Sequence, residues 1–186
     1  MSLIKVNARS ASALDATILT GNLPAISGAS LTGVSAGKVL QVVASSNTSM
    51  TSHTRGQEMT AFLTSITPSA TSSKILVLVS VGMSGSDSAS DNGLDVRRKI
   101  GSGSFADLQS GSGASSTNTT FVPYMSTGGG NAFGMSFQLL DSPNTTSECS
   151  YQLRCQVNSG RTMYTNRRNS TDYGSSSGIT LLEIEG

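Results

Sequence analysis

The stretch of sequence that decides the fold is Glu148–Val157, ECSYQLRCQV. Its residues alternate in character: Cys149, Tyr151, Leu153, Cys155 and Val157 fall on one side, and Ser150, Gln152, Arg154 and Gln156 on the other. Successive side chains of a β-strand point to opposite faces of the sheet. The stretch therefore predicts a strand with its first set facing a core and its second set facing outward.

The segments around this strand have the same character. Phe133–Leu140 predicts a strand with Phe133, Met135, Phe137 and Leu139 facing inward, and a turn follows at Asp141–Asn144. In Glu58–Ile66, Met59, Ala61 and Leu63 alternate with Thr60, Phe62 and Thr64. Lys74–Val81, KILVLVSV, is the most apolar segment and is predicted to lie in the middle of the core, covered on both faces.

The remaining predicted strands are Lys38–Ala44, Leu94–Ile100, Phe105–Leu108, Thr119–Met125, Arg161–Thr165 and Gly178–Glu185. Many short strands, separated by loops rich in Ser, Thr and Gly and without a long helix, predict an all-β fold. Its architecture is expected to be an antiparallel β-sandwich or jelly roll.

Length and charge limit the classes of function. The 186 residues are enough for one domain with a core and an appendage. Charged residues make up 12%, about half the usual share, and the net charge is +1. We therefore expect neither nucleic-acid binding nor membrane insertion. No signal peptide is recognisable, which predicts a protein assembled in the cytoplasm of its host.

The two cysteines are predicted to be free. Cys149 and Cys155 lie in one strand, and six residues of strand span about 20 Å. A disulfide needs Cα atoms within about 7 Å, so buried thiols are expected. The chain has one histidine and no CxxC pair, so no zinc site is predicted.

No catalytic set is recognisable, and the sequence predicts a protein without enzymatic activity, cofactor or metal. His53 lies in a Ser/Thr-rich segment and is predicted to be a solvated loop residue, because a catalytic histidine needs positioned partners. Asp87, Asp91, Asn92 and Asp95 form a small acidic group. Turn formation explains this group better than a loose calcium site, which is kept as the alternative.

Leu19–Val34, LTGNLPAISGASLTGV, is unlike the rest of the chain. The triplet Leu-Thr-Gly occurs twice in it, and its apolar residues have nothing within the segment to bury against. An ordinary linker would be poor in large apolar residues. Parallel association of copies about a threefold axis would bury them. The residues predicted to pack in this trimeric shaft are Leu14, Ile18, Leu19, Leu23, Ile26, Leu31 and Val34.

The start of the chain is predicted to attach it to a partner. Leu3, Ile4 and Val6 belong to a short alternating stretch that suits addition to a partner's sheet, and a frayed terminus is the alternative. The predicted organisation is an attachment segment over residues 1–18, a short shaft over 19–36 and a β-sandwich knob over 37–186.

Arginine and tyrosine residues concentrate near the end of the knob. Together they could bind an acidic glycan or a protein surface, and solvated loop side chains are the alternative. The candidate contact residues are Arg154, Arg161, Tyr164, Arg167, Arg168 and Tyr173.

Several of these stretches resemble one family. LTGNLPAISGASLTGVSAGKVLQVV, residues 19–43, resembles the fibre proteins of tailed bacteriophages, notably marine ones, in which LxGxLPAxxGxxLTxV shaft repeats lead into GKVLQVV and a β-rich tip. TPSATSSKILVLVSV, LLDSPNTTSECSYQLRCQV and ITLLEIEG are similar to that tip domain. The resemblance covers residues 19–186 nearly continuously.

The resemblance implies a homotrimer in the virion without catalysis. Tail fibres are usually much longer, whereas this shaft has about two repeats, which favours a short fibre whose N-terminus binds another virion protein of the capsid, neck or tail. The alternative it implies is a receptor-binding fibre tip that recognises a host-surface glycan.

Overall fold

The computed structural model describes residues 38–87, 92–108 and 131–186. Within these ranges every regular element is a β-strand, and none is a helix that is long and apolar enough to cross a membrane. The strands are β1 (Val39–Asn47), β2 (Thr51–His53), β3 (Glu58–Ile66), β4 (Lys74–Gly85), β5 (Asn92–Ile100), β6 (Ala106–Asp107), β7 (Phe133–Asp141), β8 (Cys149–Val157), β9 (Met163–Thr165) and β10 (Ser177–Ile184).

The strands form two antiparallel sheets. Sheet A contains β7, β4, β10 and β1 side by side, and β9 and β2 extend it at one end. β10 and β9 share one edge of β4: β10 pairs with its residues 74–80 and β9 with its residues 83–85. β7 occupies the opposite edge of β4. Sheet B has the order β3-β8-β5-β6.

The order of the strands is that of a jelly roll. If the short β2 and β9 are set aside and the other eight strands are numbered in chain order, sheet A reads first, eighth, third, sixth. Sheet B then reads second, seventh, fourth, fifth. Such interleaving of two four-stranded sheets defines the double-sheet jelly roll, an architecture of viral capsid and lectin domains. The predicted all-β jelly roll is confirmed.

The core lies between the two sheets and follows the predicted alternation of β8. The five residues of β8 predicted to face inward are all buried, and so are Ile75, Val77, Val79 and Val81 of β4. Cys149 and Cys155 are buried free thiols, as predicted. Burial raises the pKa of Cys155 to about 12, so this thiol stays protonated and unreactive.

The alternation expected for β3 is interrupted. Met59 faces the core, but so do Phe62, Thr64 and Ile66, whereas Leu63 is exposed. The pairing of β3 with β8 shifts register between Met59 and Thr64. A β-bulge inserts an extra residue and moves the following side chains to the other face.

β4 lies in the middle of sheet A, but only one of its faces is covered. Its inward residues are buried, whereas the outward Leu76 and Leu78 are half-buried and Ser80 is exposed. The expectation that both faces of this strand are covered is wrong for the described part of the chain. The outer face of sheet A is open there.

His53 is not a solvated loop residue, because pairing with β9 makes Thr51–His53 a strand. The side chain is buried, and its Nε2 lies 2.9 Å from Thr51 Oγ1 and 3.0 Å from Thr165 Oγ1. Burial lowers the pKa of His53, which favours the neutral imidazole. Its position is that of a packed core histidine.

Several predictions fall outside the described residues. These are the attachment segment 1–18, the shaft 19–36, the anchoring and shaft residues named above, the strand Thr119–Met125, and Asp91. They stay predictions.

Candidate functional site

The candidate site is built on a loop that leaves sheet A and returns to it. β9 ends at Thr165 and β10 begins at Ser177, and both strands lie on the same edge of β4. Residues 166–176 therefore form an excursion from one interrupted strand, and an isolated bridge between Arg167 and Gly174 closes it. The neighbouring β1 and β2 are interrupted at the same level, at residues 48–50.

Asn166 holds this junction together. It is fully buried and adopts φ 59°, a left-handed conformation that asparagine tolerates better than most residues. Its side chain donates to two carbonyl groups and accepts from one hydroxyl, and its backbone makes two more hydrogen bonds, all at 2.5–3.1 Å. The partners are Asn47, Ser49, Gly82, Ser175 and Ser177.

Two arginine–tyrosine stacks lie at this excursion. The Arg167 guanidinium lies 4.3 Å from the centroid of the Tyr164 ring, and that of Arg168 lies 4.8 Å from the Tyr173 ring. Arg167 also donates to the carbonyl oxygens of Arg168 and Asn169 at 2.9 and 2.5 Å. We call Tyr164, Arg167, Arg168 and Tyr173 the Arg–Tyr cluster.

A surface depression lies beside the second stack. It has a volume of about 500 Å³ and is lined by Asn131, Ala132, Phe133, Arg168 and Tyr173. Tyr173 is 62% exposed, and Arg168 Nε is buried without a hydrogen-bond partner among the described residues. Asp172 lies 3.4 Å from Arg168 and neutralises one of the two positive charges. The depression thus combines exposed aromatic rings with one arginine, Arg168, that is paired with Asp172.

Arg161 lies close to this cluster. It forms an ion pair with Asp87, which follows β4. Asn169 of the excursion donates to the carbonyl oxygen of Ser86 at 3.0 Å, one residue before Asp87. The structure therefore brings five of the six candidate contact residues to one region of the knob.

Arg154 is the exception, because it lies on the other outer face. Tyr164 points outward from sheet A, since its neighbours Met163 and Thr165 are buried. Arg154 points outward from sheet B and is bonded to Asp95 at 2.6 Å and to Asp107 at 3.0 Å. Burial alone would lower the pKa of Arg154, but these two carboxylates raise it above its ordinary value. Arg154 is held in ion pairs and is not part of the cluster.

Sheet B carries a network of charges that sequence reasoning did not anticipate. Arg97 pairs with Glu58 and, at 2.9 Å, with Asp107, which also binds Arg154. The charged network comprises Glu58, Asp95, Arg97, Asp107 and Arg154. Alternation places each of these side chains outward, but only the register of β3, β5, β6 and β8 places them side by side.

In the described ranges no three His, Cys, Asp or Glu side chains come close enough together to hold a metal ion. Of the acidic group considered for calcium, Asp95 pairs with Arg154 and Asp87 with Arg161. These two carboxylates therefore already have cationic partners.

Neither a protein-family model nor a curated protein sequence matches this chain. Solved structures similar to it include infectious bursal disease virus of the Gx strain (10% identity, TM-score 0.39) and of the Gt strain (13%, 0.39). The Gx match covers 78% of this chain and 36% of the viral chain, and the Gt match covers 77% and 42%. The crystal structure of the VP2 subviral particle of the same virus has 13% identity and a TM-score of 0.37, with 80% of this chain and 41% of that chain covered.

This chain thus spans less than half the length of each of those chains. At such TM-scores the comparison adds nothing to the jelly-roll assignment, which rests on the order of the strands.

Proposed function

We propose that this protein is a non-enzymatic, homotrimeric structural fibre of a phage virion. Its N-terminal segment attaches to another virion protein of the capsid, neck or tail, and its jelly-roll knob is displayed. The observation that carries the proposal is the run of residues 19–43, in which the shaft-like repeats lead directly into β1 at Val39. The jelly roll, an architecture of viral capsid domains, is consistent with it.

The ion pairs and hydrogen bonds of the acidic side chains support a function without catalysis. Most carboxylates of the knob are bound by arginine, including those of Glu58, Asp95, Asp107 and Asp141. Burial would raise the pKa of Glu183, but hydrogen bonds from Ser69 and Gln41 lower it to about 2. A general acid needs a raised pKa. These groups are arranged for structure, and the knob acts by contact.

The oligomeric state of the full chain tests the proposal. Light scattering is expected to give three times the monomer mass of 19.1 kDa. The double variant Leu23→Asp with Ile26→Asp is expected to dissociate to monomers, because it would gather six carboxylates in an apolar shaft. Circular dichroism should remain that of a folded β-sandwich.

The matched control is Ser27→Asp with Ser30→Asp, which adds the same charge to the same segment at positions not predicted to be buried. It should remain trimeric. A monomeric mass for the unaltered chain would refute the fibre proposal. If the Leu23→Asp, Ile26→Asp variant remains trimeric, the shaft does not hold the trimer together.

A second candidate function is recognition of an anionic host-surface glycan by the fibre tip. The Arg–Tyr cluster favours it, because the depression offers the exposed ring of Tyr173 and the guanidinium of Arg168 stacked on that ring. Three copies on one fibre would strengthen a weak contact by multivalency.

Binding of the full chain to a glycan array separates this function from a purely structural role. Tyr173→Ala and Arg168→Ala are each expected to weaken binding about tenfold or more, as for a contact worth over 1 kcal/mol. Lys99→Ala removes another cation–π contact, to Phe105 at 5.4 Å on the other sheet, and should leave binding unchanged. Absence of glycan binding, or equal losses in all three variants, would exclude recognition at this cluster.

A further inference from the structure

The two outer faces of the jelly roll differ in charge. The face of sheet B carries the charged network. On sheet A, Lys74 is the one charged residue at the outward positions of β1, β4, β7 and β10. Both faces of an isolated sandwich would meet water, so this asymmetry marks the face of sheet A as the one suited to contact another surface.

The outward residues of sheet A include one continuous apolar row. Val42, Leu182, Leu76 and Leu140 lie side by side across all four strands, because each pairs with the next in register. Val42 is 58% exposed and Leu140 50% exposed. We call this surface the apolar patch; its members are Val39, Val42, Leu76, Leu140, Leu182 and Ile184.

The sequence of β4 is that of a strand buried on both faces. Ile75–Val79 is an unbroken apolar run, and such runs are typical of strands covered on both sides. In the knob the core covers Ile75, Val77 and Val79, whereas Leu76 and Leu78 stay partly open. A second surface against sheet A would complete the burial that this sequence is suited to.

The shape of the face also suits a neighbouring chain. Beyond the apolar patch the outward residues become small, and a shallow depression of about 560 Å³ crosses the sheet. Leu78, Ser80, Ser136, Gly178 and Thr180 are among the residues that line it. Side chains of a partner can enter here without meeting a charge.

The route of the chain identifies that partner. Val34 is the last residue predicted to pack in the shaft, and Val39 begins β1 only five residues later. Five residues span at most about 18 Å, so in the proposed trimer each β1 begins no farther than that from the end of its own shaft segment. β1 is an edge strand and carries the exposed Val39, Leu40 and Val42. An unprotected apolar edge is a liability unless something covers it.

We propose that the apolar patch is the surface through which the knobs of a trimer contact one another, so that its occupant is a second copy of this chain. This inference rests on the proposed homotrimer and adds a knob-to-knob contact to its shaft. The patch needs no complementary charge, and Lys74 and the exposed pair Lys38–Glu185 lie at its rim.

Cross-linking of the full chain tests the contact directly. Val42→Cys is expected to give covalent dimers with a short bis-maleimide, because the proposed contact brings the apolar patches of neighbouring knobs together. Leu63→Cys, on an exposed apolar position of sheet B, should give none. The native Cys149 and Cys155 are buried and should not react with the reagent.

A second measurement follows the strength of assembly. Val42→Asp with Leu140→Asp is expected to raise the protein concentration at which the trimer dissociates at least about tenfold, as expected when an apolar contact gains like charges. Leu63→Asp should leave that concentration unchanged. A monomeric unaltered chain would refute the fibre proposal itself. If the chain is trimeric but Val42→Cys gives no cross-links, the knob contact is wrong while the shaft trimer stands. The same conclusion follows if the double Asp variant dissociates at the same concentration as the unaltered chain.

Discussion

Asp141→Ala is expected to lower the free energy of unfolding by about 3–5 kcal/mol, the usual cost of leaving one partner of a buried ion pair without the other. Asp141 ends β7 of sheet A, and both of its carboxylate oxygens lie 2.7 Å from Arg98 Nη1 of sheet B. The hydroxyl of Tyr151, also in sheet B, donates to the same carboxylate at 2.7 Å. The substitution would leave the Arg98 side chain, which is 23% exposed, without its anionic partner. It would also leave the buried hydroxyl of Tyr151 without its acceptor.

Urea denaturation followed by circular dichroism measures this loss. Glu185→Ala is the control, because Glu185 pairs with Lys38 at 4.0 Å on the surface, and its removal should cost about 1 kcal/mol or less. Arg98→Met combined with Asp141→Leu should recover the part of the loss that comes from the unpaired guanidinium, since it removes both charges together. The Tyr151 hydroxyl still lacks its acceptor in that variant, so the remaining loss measures its hydrogen bond. If Asp141→Ala costs no more than Glu185→Ala, the ion pair does not help to hold the two sheets together.

Asn166→Ala is expected to destabilise the knob by about 3 kcal/mol or more. It removes the three side-chain hydrogen bonds of a fully buried residue, and the part-buried carbonyls of Asn47 and Ser49 lose their donor. It also places a Cβ at φ 59° without the local hydrogen bonding that helps asparagine there.

A glycine variant separates the two costs. Asn166→Gly loses the same hydrogen bonds, but glycine adopts the left-handed conformation at this position without strain. It should therefore be about 1 kcal/mol more stable than Asn166→Ala. Asn144 has φ 54° at an exposed position, and Asn144→Ala should show the backbone cost alone. Equal unfolding midpoints for Asn166→Ala and Asn144→Ala would contradict a structural role for the side chain of Asn166.

The fold could be predicted where the information is local. The five residues of β8 predicted to face the core are all buried, because a strand without a bulge has a strict period of two. Ser150 and Gln152, predicted to face outward, are buried as well, which the alternation does not predict. In β3 the same reasoning fails at Phe62, which lies in the core. The bulge there is a property of the pairing with β8, and the sequence of β3 alone does not contain that register.

The candidate site shows the same limit. Arg154 and Tyr164 are close in sequence, yet they point from opposite sheets. Asn166 resembles any loop asparagine until folding brings Asn47, 119 positions away, within hydrogen-bond distance. His53 becomes a core residue because β2 pairs with β9. Residues joined over long sequence separations are therefore the ones that local patterns miss.

The excursion between β9 and β10 has a consequence for how this protein can diversify. Its two ends, Thr165 and Ser177, lie on one edge of β4, and Asn166 fixes them there. Loop closure becomes only slightly more costly as a loop lengthens. Inserts of different length and composition can therefore be exchanged between Arg167 and Ser175 while the strand register stays the same. The excursion is in this sense an exchangeable loop on a constant frame.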